Sequence, residues 1–150
     1  MKNAFCLIVT AAVAATMQVR LLPNTTAANV GLVQVRPFSD ANWGTVCDDG
    51  FTQTEADALC RMAGFNGAQR WSAGNILGVG SIYIDGLSCS VRATSFTQCN
   101  FVYSAPSSPP RHNCHHNEDI SLACSTQTLL TTSSTTSLTP PPTPTTTTTS

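Results

Sequence analysis

The chain has 150 residues, enough for one ordinary domain and too few for two large ones. Seven basic residues against eight acidic ones leave a formal net charge of −1. With lysine only at Lys2 and the arginines scattered, there is no basic run, which excludes the electrostatic signature of nucleic-acid binding.

The N-terminus reads as an export signal over residues 1–18. Lys2 precedes an apolar run from Phe5 to Ala15, the length of a signal h-region and too short to span a bilayer. Ala12-Val13-Ala14-Ala15 offers an A-x-A-like cleavage site. A buried N-terminal helix or strand is the alternative. Cleavage removes Cys6 and leaves Cys47, Cys60, Cys89, Cys99, Cys114 and Cys124. An even set in an oxidising compartment points to disulfides, with a connectivity that spacing leaves open.

Residues 19–125 carry the strand and helix patterns. Val19 to Leu22 is a short strand candidate. Asn24-Thr25-Thr26 is an N-glycosylation sequon, used or unused, that belongs on a surface loop. Val33 and Val35 share one face of a partly alternating segment, and Trp43 to Cys47 forms a further strand ended by Asp48-Asp49-Gly50. Thr52-Gln53-Thr54-Glu55 fits a capping box at the start of the one convincing helix. Ala56, Leu59, Cys60 and Ala63 make its apolar stripe, so Cys60 points inward, and Gly64 stands where a left-handed residue ends a helix. Asn66-Gly67 signals a turn. Ser81 to Asp85 reads as a strand, the segment near Phe96 as a helical turn, Ser104 to Arg111 as an irregular loop, and Ile120 to Cys124 as the last strand. Short strands around one helix predict a small, disulfide-rich α+β domain. Residues 126–150 are Thr/Ser/Pro-rich and cannot bury a core. They suit a disordered stalk or linker, O-glycosylated or bare.

Four phrases in this order resemble the scavenger receptor cysteine-rich (SRCR) domain. They are Trp43-Gly44-Thr45-Val46-Cys47-Asp48-Asp49-Gly50, Leu59-Cys60-Arg61-Met62-Ala63-Gly64-Phe65, Ile82-Tyr83-Ile84-Asp85-Gly86-Leu87-Ser88-Cys89 and His112-Asn113-Cys114-His115-His116-Asn117-Glu118-Asp119. The resemblance runs from about Val19 to Ser125. It implies a curved antiparallel sheet cradling one main helix, and the pairs Cys47–Cys114, Cys60–Cys124 and Cys89–Cys99. Phe65 stands where one subgroup has a further cysteine, which places the chain with the six-cysteine group. Three departures stand out: Phe51 and Tyr83 occupy positions that are frequently Trp in the family, and the Ser104–Pro110 loop is unlike its compact turn. The changed loop prevents borrowing a partner from any relative.

The resemblance also suggests a site. If Cys47 and Cys114 are bonded, Asp48, Asp49 and Glu118 converge. Crowded carboxylates repel one another, and a hard divalent cation relieves that repulsion. Family members use this cluster for Ca²⁺ or Mg²⁺, which bridges to an anionic ligand; the alternative is a solvated acidic turn. A weaker second cation site would use Asp85 and Asn117, although Gly86 stands where relatives often have Asp or Asn. Asp119 is expected to cap or brace the final strand. Arg61, Arg70, Arg92 and Arg111 are candidate contacts for polyanions or sugars. The cluster of His112, Cys114, His115 and His116 invites zinc, but the disulfide claims its thiol, and finger spacing is missing. No catalytic motif is present, so the expectation is a non-enzyme.

These readings predict an extracellular recognition module for microbial polyanions, glycans or proteins. It would be secreted or held at the outer face of the plasma membrane, with any membrane attachment supplied by sequence beyond Ser150. The alternatives are a non-catalytic accessory domain of a larger secreted or membrane protein, such as a protease, and a mucin-like structural component.

Overall fold

The computed structural model describes residues 11–106 and 108–126. The start of the expected export signal and the Thr/Pro tail beyond Thr126 lie outside the described residues. Residues 11–16 are helical, and Ala14 packs into the core.

Among the described residues the strands are β1 (Gln18–Pro23), β2 (Val30–Arg36), β3 (Thr45–Val46), β4 (Ala68–Ala73), β5 (Ile82–Cys89), β6 (Cys99–Tyr103) and β7 (Ile120–Cys124), and the main helix is α1 (Gln53–Met62). Short 3₁₀ turns cover Phe96–Gln98 and His116–Glu118. One antiparallel sheet runs β1-β2-β7-β4 and a second runs β3-β5-β6, in which β3 and β5 are parallel. The resemblance implies a curved antiparallel sheet; here the strands divide between two sheets, joined by antiparallel bridges at Val35–Gly44 and at Cys47–Asp119. Val35 and Gly44 exchange both backbone hydrogen bonds at 2.9 Å.

The expected strand over Trp43 to Cys47 contracts to Thr45–Val46. Its register against β5 slips there, leaving single bridges on either side, at Gly44 and at Cys47. The strand expected from Ser81 starts at Ile82 and runs on to Cys89, past a bulge between Asp85 and Ser88. β4 and β6 have no counterpart among the elements expected from the sequence.

The core fills the space between the sheets and α1. Val33 and Val35 of β2, Leu59 and Cys60 of α1, Ile84 and Leu87 of β5, and Ile120 and Leu122 of β7 are all at most 2 % exposed. Two of the three disulfides join elements distant in sequence: Cys60–Cys124 ties α1 to β7, and Cys47–Cys114 ties the end of β3 to the segment before β7. Cys89–Cys99 closes the short excursion between β5 and β6. The aromatic residues that depart from the family pattern pack inside. Phe51 meets Trp71 edge-on at 5.1 Å, and the buried Tyr83 donates its hydroxyl to Asn42 O at 3.1 Å.

The capping box at α1 does more than start a helix. Glu55 Oε2 accepts from Thr52 N and from the Thr52 hydroxyl, while Oε1 accepts from Cys89 N of β5 at 3.0 Å. At the other end Gly64, with φ +92°, sits one residue past the Ala63 cap. Burial alone would raise the Glu55 carboxyl, but the bonds from Thr52 and Cys89 together hold it below its ordinary 4.5. The stability this adds is present above about pH 4.5 and is lost as the pH falls through the lower folded value. Glu55→Ala is expected to destabilise the domain by about 2–3 kcal/mol, because it removes a cap and orphans a strand N–H. Glu55→Gln should melt with a flatter acid dependence than the native domain in a thermal series taken downward from neutral pH. An unchanged acid limb would show that Glu55 carries no linkage.

Candidate functional site

The site grows from the end of β3. Val46 pairs with Ile84, and the next residue, Cys47, donates its N–H to Ile84 O at 2.9 Å. The chain then turns: Phe51 N bonds to Asp48 O at 2.9 Å, and Gly50 takes φ +71°, a conformation a side chain would strain. This turn leaves Asp49 exposed and Asp48 half-buried on one rim.

The opposing rim comes from the segment between Cys114 and β7. Two ties bring it across: the Cys47–Cys114 disulfide and the antiparallel bridge between Cys47 and Asp119. Asp119 anchors this segment. It is fully buried, accepts from Gly78 N at 2.7 Å and pairs with His116 Nδ1 at 2.8 Å. Asp119, expected from the sequence to brace the final strand, braces the turn leading into it. Glu118, the neighbour of Asp119, has one oxygen held by His115 N at 2.7 Å.

Asp48, Asp49 and Glu118 thereby meet, each offering a carboxylate oxygen within 4.8 Å of the others and of Cys47 Sγ. The sulfur is oxidised and supplies no thiolate. Among the described residues the one salt bridge is His116–Asp119, so no basic side chain neutralises these three acids. Burial, then the charges of Glu118 and Asp49, raise the Asp48 carboxyl above its ordinary 3.8, against a backbone hydrogen bond that lowers it. Three oxygen donors under mutual repulsion form a cradle suited to a hard divalent cation.

Asp85 joins from a direction the sequence did not show. Asp49 and Asp85 lie within 4.8 Å of one another across the Cys47–Cys114 sulfurs, and Asp85 Oδ1 is buried without a hydrogen-bond partner among the described residues. Asn117, the expected companion of Asp85, lies in the 3₁₀ turn His116–Glu118, with its backbone carbonyl close against Gly74, where an added Cβ would lie 2.4 Å away. The signal that existed was the Ile82/Ile84 alternation. Its parallel pairing with β3, which sets Asp85 beside the Cys47 turn, is a long-range choice.

The four candidate arginines sit on separate elements. Arg61 braces the fold: its guanidinium donates to Ala93 O at 3.0 Å and Val91 O at 2.9 Å. Arg70 lies on β4, Arg92 in the turn after β5, and Arg111 in the irregular loop, its N–H bonded to Ser104 Oγ. Asn24 is exposed just past β1. Of the histidine cluster, His112 Nδ1 accepts from Cys114 N at 3.2 Å, and Cys114 is in its disulfide.

The profile described as the scavenger receptor cysteine-rich domain matches residues 24–125. The chain belongs to the SRCR family. Bovine (Bos taurus) lysyl oxidase homolog 4 is 35% identical over 114 residues, covering 75% of this chain and 14% of that protein. The chain thus spans about a seventh of the length of this curated relative. Among solved structures, the third SRCR domain of murine neurotrypsin superposes with a TM-score of 0.56 at 31% identity, covering 72% of this chain and 95% of that one. The SRCR domain of mouse MARCO, in its dimeric form, gives 0.53 at 31% identity, covering 69% and 94%. The SRCR domain is a non-catalytic, extracellular ligand-recognition module that occurs within larger proteins. No helix among the described residues is long and apolar enough to cross a membrane.

Proposed function

We propose that this SRCR domain recognises anionic polymers, glycans or glycoproteins outside the cell through a divalent cation, Ca²⁺ or Mg²⁺, held by Asp48, Asp49 and Glu118. One observation carries the reading: three carboxylates share a space under 5 Å across, and among the described residues none has a basic partner. A bound cation supplies the missing positive charge and an open coordination position for a ligand oxygen. Asp48 and Asp49 hold it from the β3 turn and Glu118 from the opposite rim, so its position depends on the ties at Cys47. Asp85, reached through Asp49, extends the acidic surface toward a second ion.

The test is a glycan and bacterial-surface array probed with the secreted protein in Ca²⁺ and again in EDTA. Binding to anionic targets that disappears in EDTA and returns with Ca²⁺ is the expected result; full binding in EDTA removes the cation from the mechanism. A second reading, an accessory domain of a larger protein, is favoured by the seventh-length match to lysyl oxidase homolog 4. The complete transcript decides it: a catalytic domain encoded downstream supports this reading, and an early stop codon excludes it.

A further inference from the structure

The four-stranded sheet carries a groove on the face turned away from the core. Register sets Val30, Ala123 and Arg70 in one row across β2, β7 and β4, and Leu32, Ser121 and Ser72 in the next. Val33, Ile120 and Leu122, of the opposite parity, fill the core, so both rows lie on the other face. The loop over residues 74–80 closes on Leu32: a Cβ added at Gly78 would lie 3.3 Å from Leu32 Cδ2. Beside that loop a groove of about 250 Å³ stays open, with Asn24, Val30, Arg70, Ser72, Asn75 and Ser121 on its walls and floor.

Asn24 opens the sequon Asn24-Thr25-Thr26, a bend just past β1 in which all three residues are exposed. An acceptor asparagine must be reached by the transferase, and this bend meets that need. Across the groove Asn75, also exposed, donates from Nδ2 to Ser72 Oγ at 2.8 Å. That bond fixes the amide and leaves Asn75 Oδ1 as an acceptor. The exposed Arg70 guanidinium makes no ion pair among the described residues. Ser121 Oγ is buried at the floor without a hydrogen-bond partner among the described residues, and Val30 and Ala123 give that floor an apolar strip. An apolar strip edged by a few polar groups suits a neutral sugar ring, whose C–H face lies down while its hydroxyls reach the edges. Because Asn24 is itself part of the wall, a sugar on its Nδ2 starts inside the groove, at a high effective concentration.

We propose that Asn24 carries an N-linked glycan whose first N-acetylglucosamine seats in this groove and braces the 74–80 loop. The transfer joins Asn24 Nδ2 to the anomeric carbon of the sugar. The bond from that carbon to a lipid pyrophosphate breaks, the pyrophosphate leaves, and Nδ2 gives up one proton. The ring then lies over Val30 and Ala123, with Asn75 Oδ1 accepting from it and the Arg70 guanidinium donating to its oxygens. The loop it rests on holds the rim of the acidic cradle: Gly78 N donates to Asp119 Oδ2 at 2.7 Å, and Gly74 N to Asp119 O at 3.0 Å. This inference rests on the domain being exported, but not on the cation.

The experiment secretes the full chain from animal cells held at the high-mannose stage, and peptide mass mapping should find the glycan on Asn24. Glycosidase trimming to the single proximal sugar isolates the residue the groove takes. In EDTA the trimmed chain should melt roughly 4–8 °C above Thr26→Ala, which keeps Asn24 and loses the sequon. In an Asn75→Ala background the same comparison should shrink to under about 2 °C, since the sugar has lost its acceptor. Arg70→Ala serves if Asn75→Ala does not secrete, and Asn24→Gln or full enzymatic removal of the glycan serves if Thr26→Ala does not. Nuclear Overhauser contacts should join the N-acetyl methyl of the trimmed chain to Val30 and Ile76. An unmodified Asn24, equal melting with and without the sugar, an undiminished difference in the Asn75→Ala background, or missing sugar contacts would each overturn the proposal. A chain that binds its array targets in Ca²⁺ and shows no seated sugar sinks this inference alone.

Discussion

Replacing Cys47 and Cys114 together by alanine is expected to destabilise the domain by about 4 kcal/mol, and to lower its melting temperature by roughly 15–30 °C. The bond closes a loop with a sequence separation of 67, and releasing it returns that much freedom to the unfolded chain. A small domain with about 5–15 kcal/mol in total has little margin for such a loss, so poor secretion should accompany it. Cys60 with Cys124, at a separation of 64, should behave alike in stability. Cys89 with Cys99, at a separation of 10, should lose only about 3 kcal/mol. Thermal unfolding of the three double variants ranks them. The Cys47–Cys114 variant should also lose its response to Ca²⁺, whereas the Cys89–Cys99 variant should keep it, since that bridge touches neither acidic rim. If the Cys47–Cys114 variant melts within a few degrees of the native domain, the Cys47–Asp119 bridge suffices to hold the rims together.

The second large effect belongs to the carboxylates. Under the cation reading, Ca²⁺ at a hundred times its dissociation constant should stabilise the native domain by about 2.7 kcal/mol. Asp49→Asn or Glu118→Gln removes one of three anionic ligands and should weaken Ca²⁺ binding by roughly a hundredfold, measured by calorimetric titration. The same substitutions should leave the metal-free domain as stable as before or slightly more so, because each removes a charge that repels Asp48. A merely structural role predicts the reverse: metal-free stability falls and Ca²⁺ changes nothing. The pH dependence carries a sign of its own. Because the Asp48 carboxyl is raised above 3.8, acid protonates it early and should weaken Ca²⁺ binding first. For the metal-free domain, protonation of Asp48 adds stability as the pH falls through its raised folded value, whereas Glu55 loses stability lower down. A calcium affinity that stays constant as the medium is acidified toward the ordinary carboxylate range would remove Asp48 from the ligand set.

How much of the fold and of the candidate site is legible in the amino-acid order depends on the range of the interactions involved. The capping box at Thr52–Glu55, the apolar stripe through Leu59 and Cys60, and the left-handed Gly64 are local, and each emerges at its expected place. The alternation that marks β7 is equally local. β4 gives no such signal: Ala68 to Ala73 is an edge strand whose exposure does not alternate, and it is strand only because Trp71 and its neighbours pair with β7. β6 likewise owes its form to pairing with β5. The second hydrogen bond of Glu55, to Cys89 N, spans 34 positions and leaves no local trace.

The amino-acid order by itself determined the number of thiols available to pair, the helix with both its ends, and the presence of acids beside Cys47 and behind Cys114. Those follow from composition and from contacts a few residues long. Only the tertiary structure decided that Asp85 stands with Asp49, that Arg61 serves the backbone, and that Asn24 and Asn75 line one groove. Each of these requires a strand register or a chain crossing between segments tens of residues apart. Such a choice is made by the packing of the whole core, and no neighbouring residue records it.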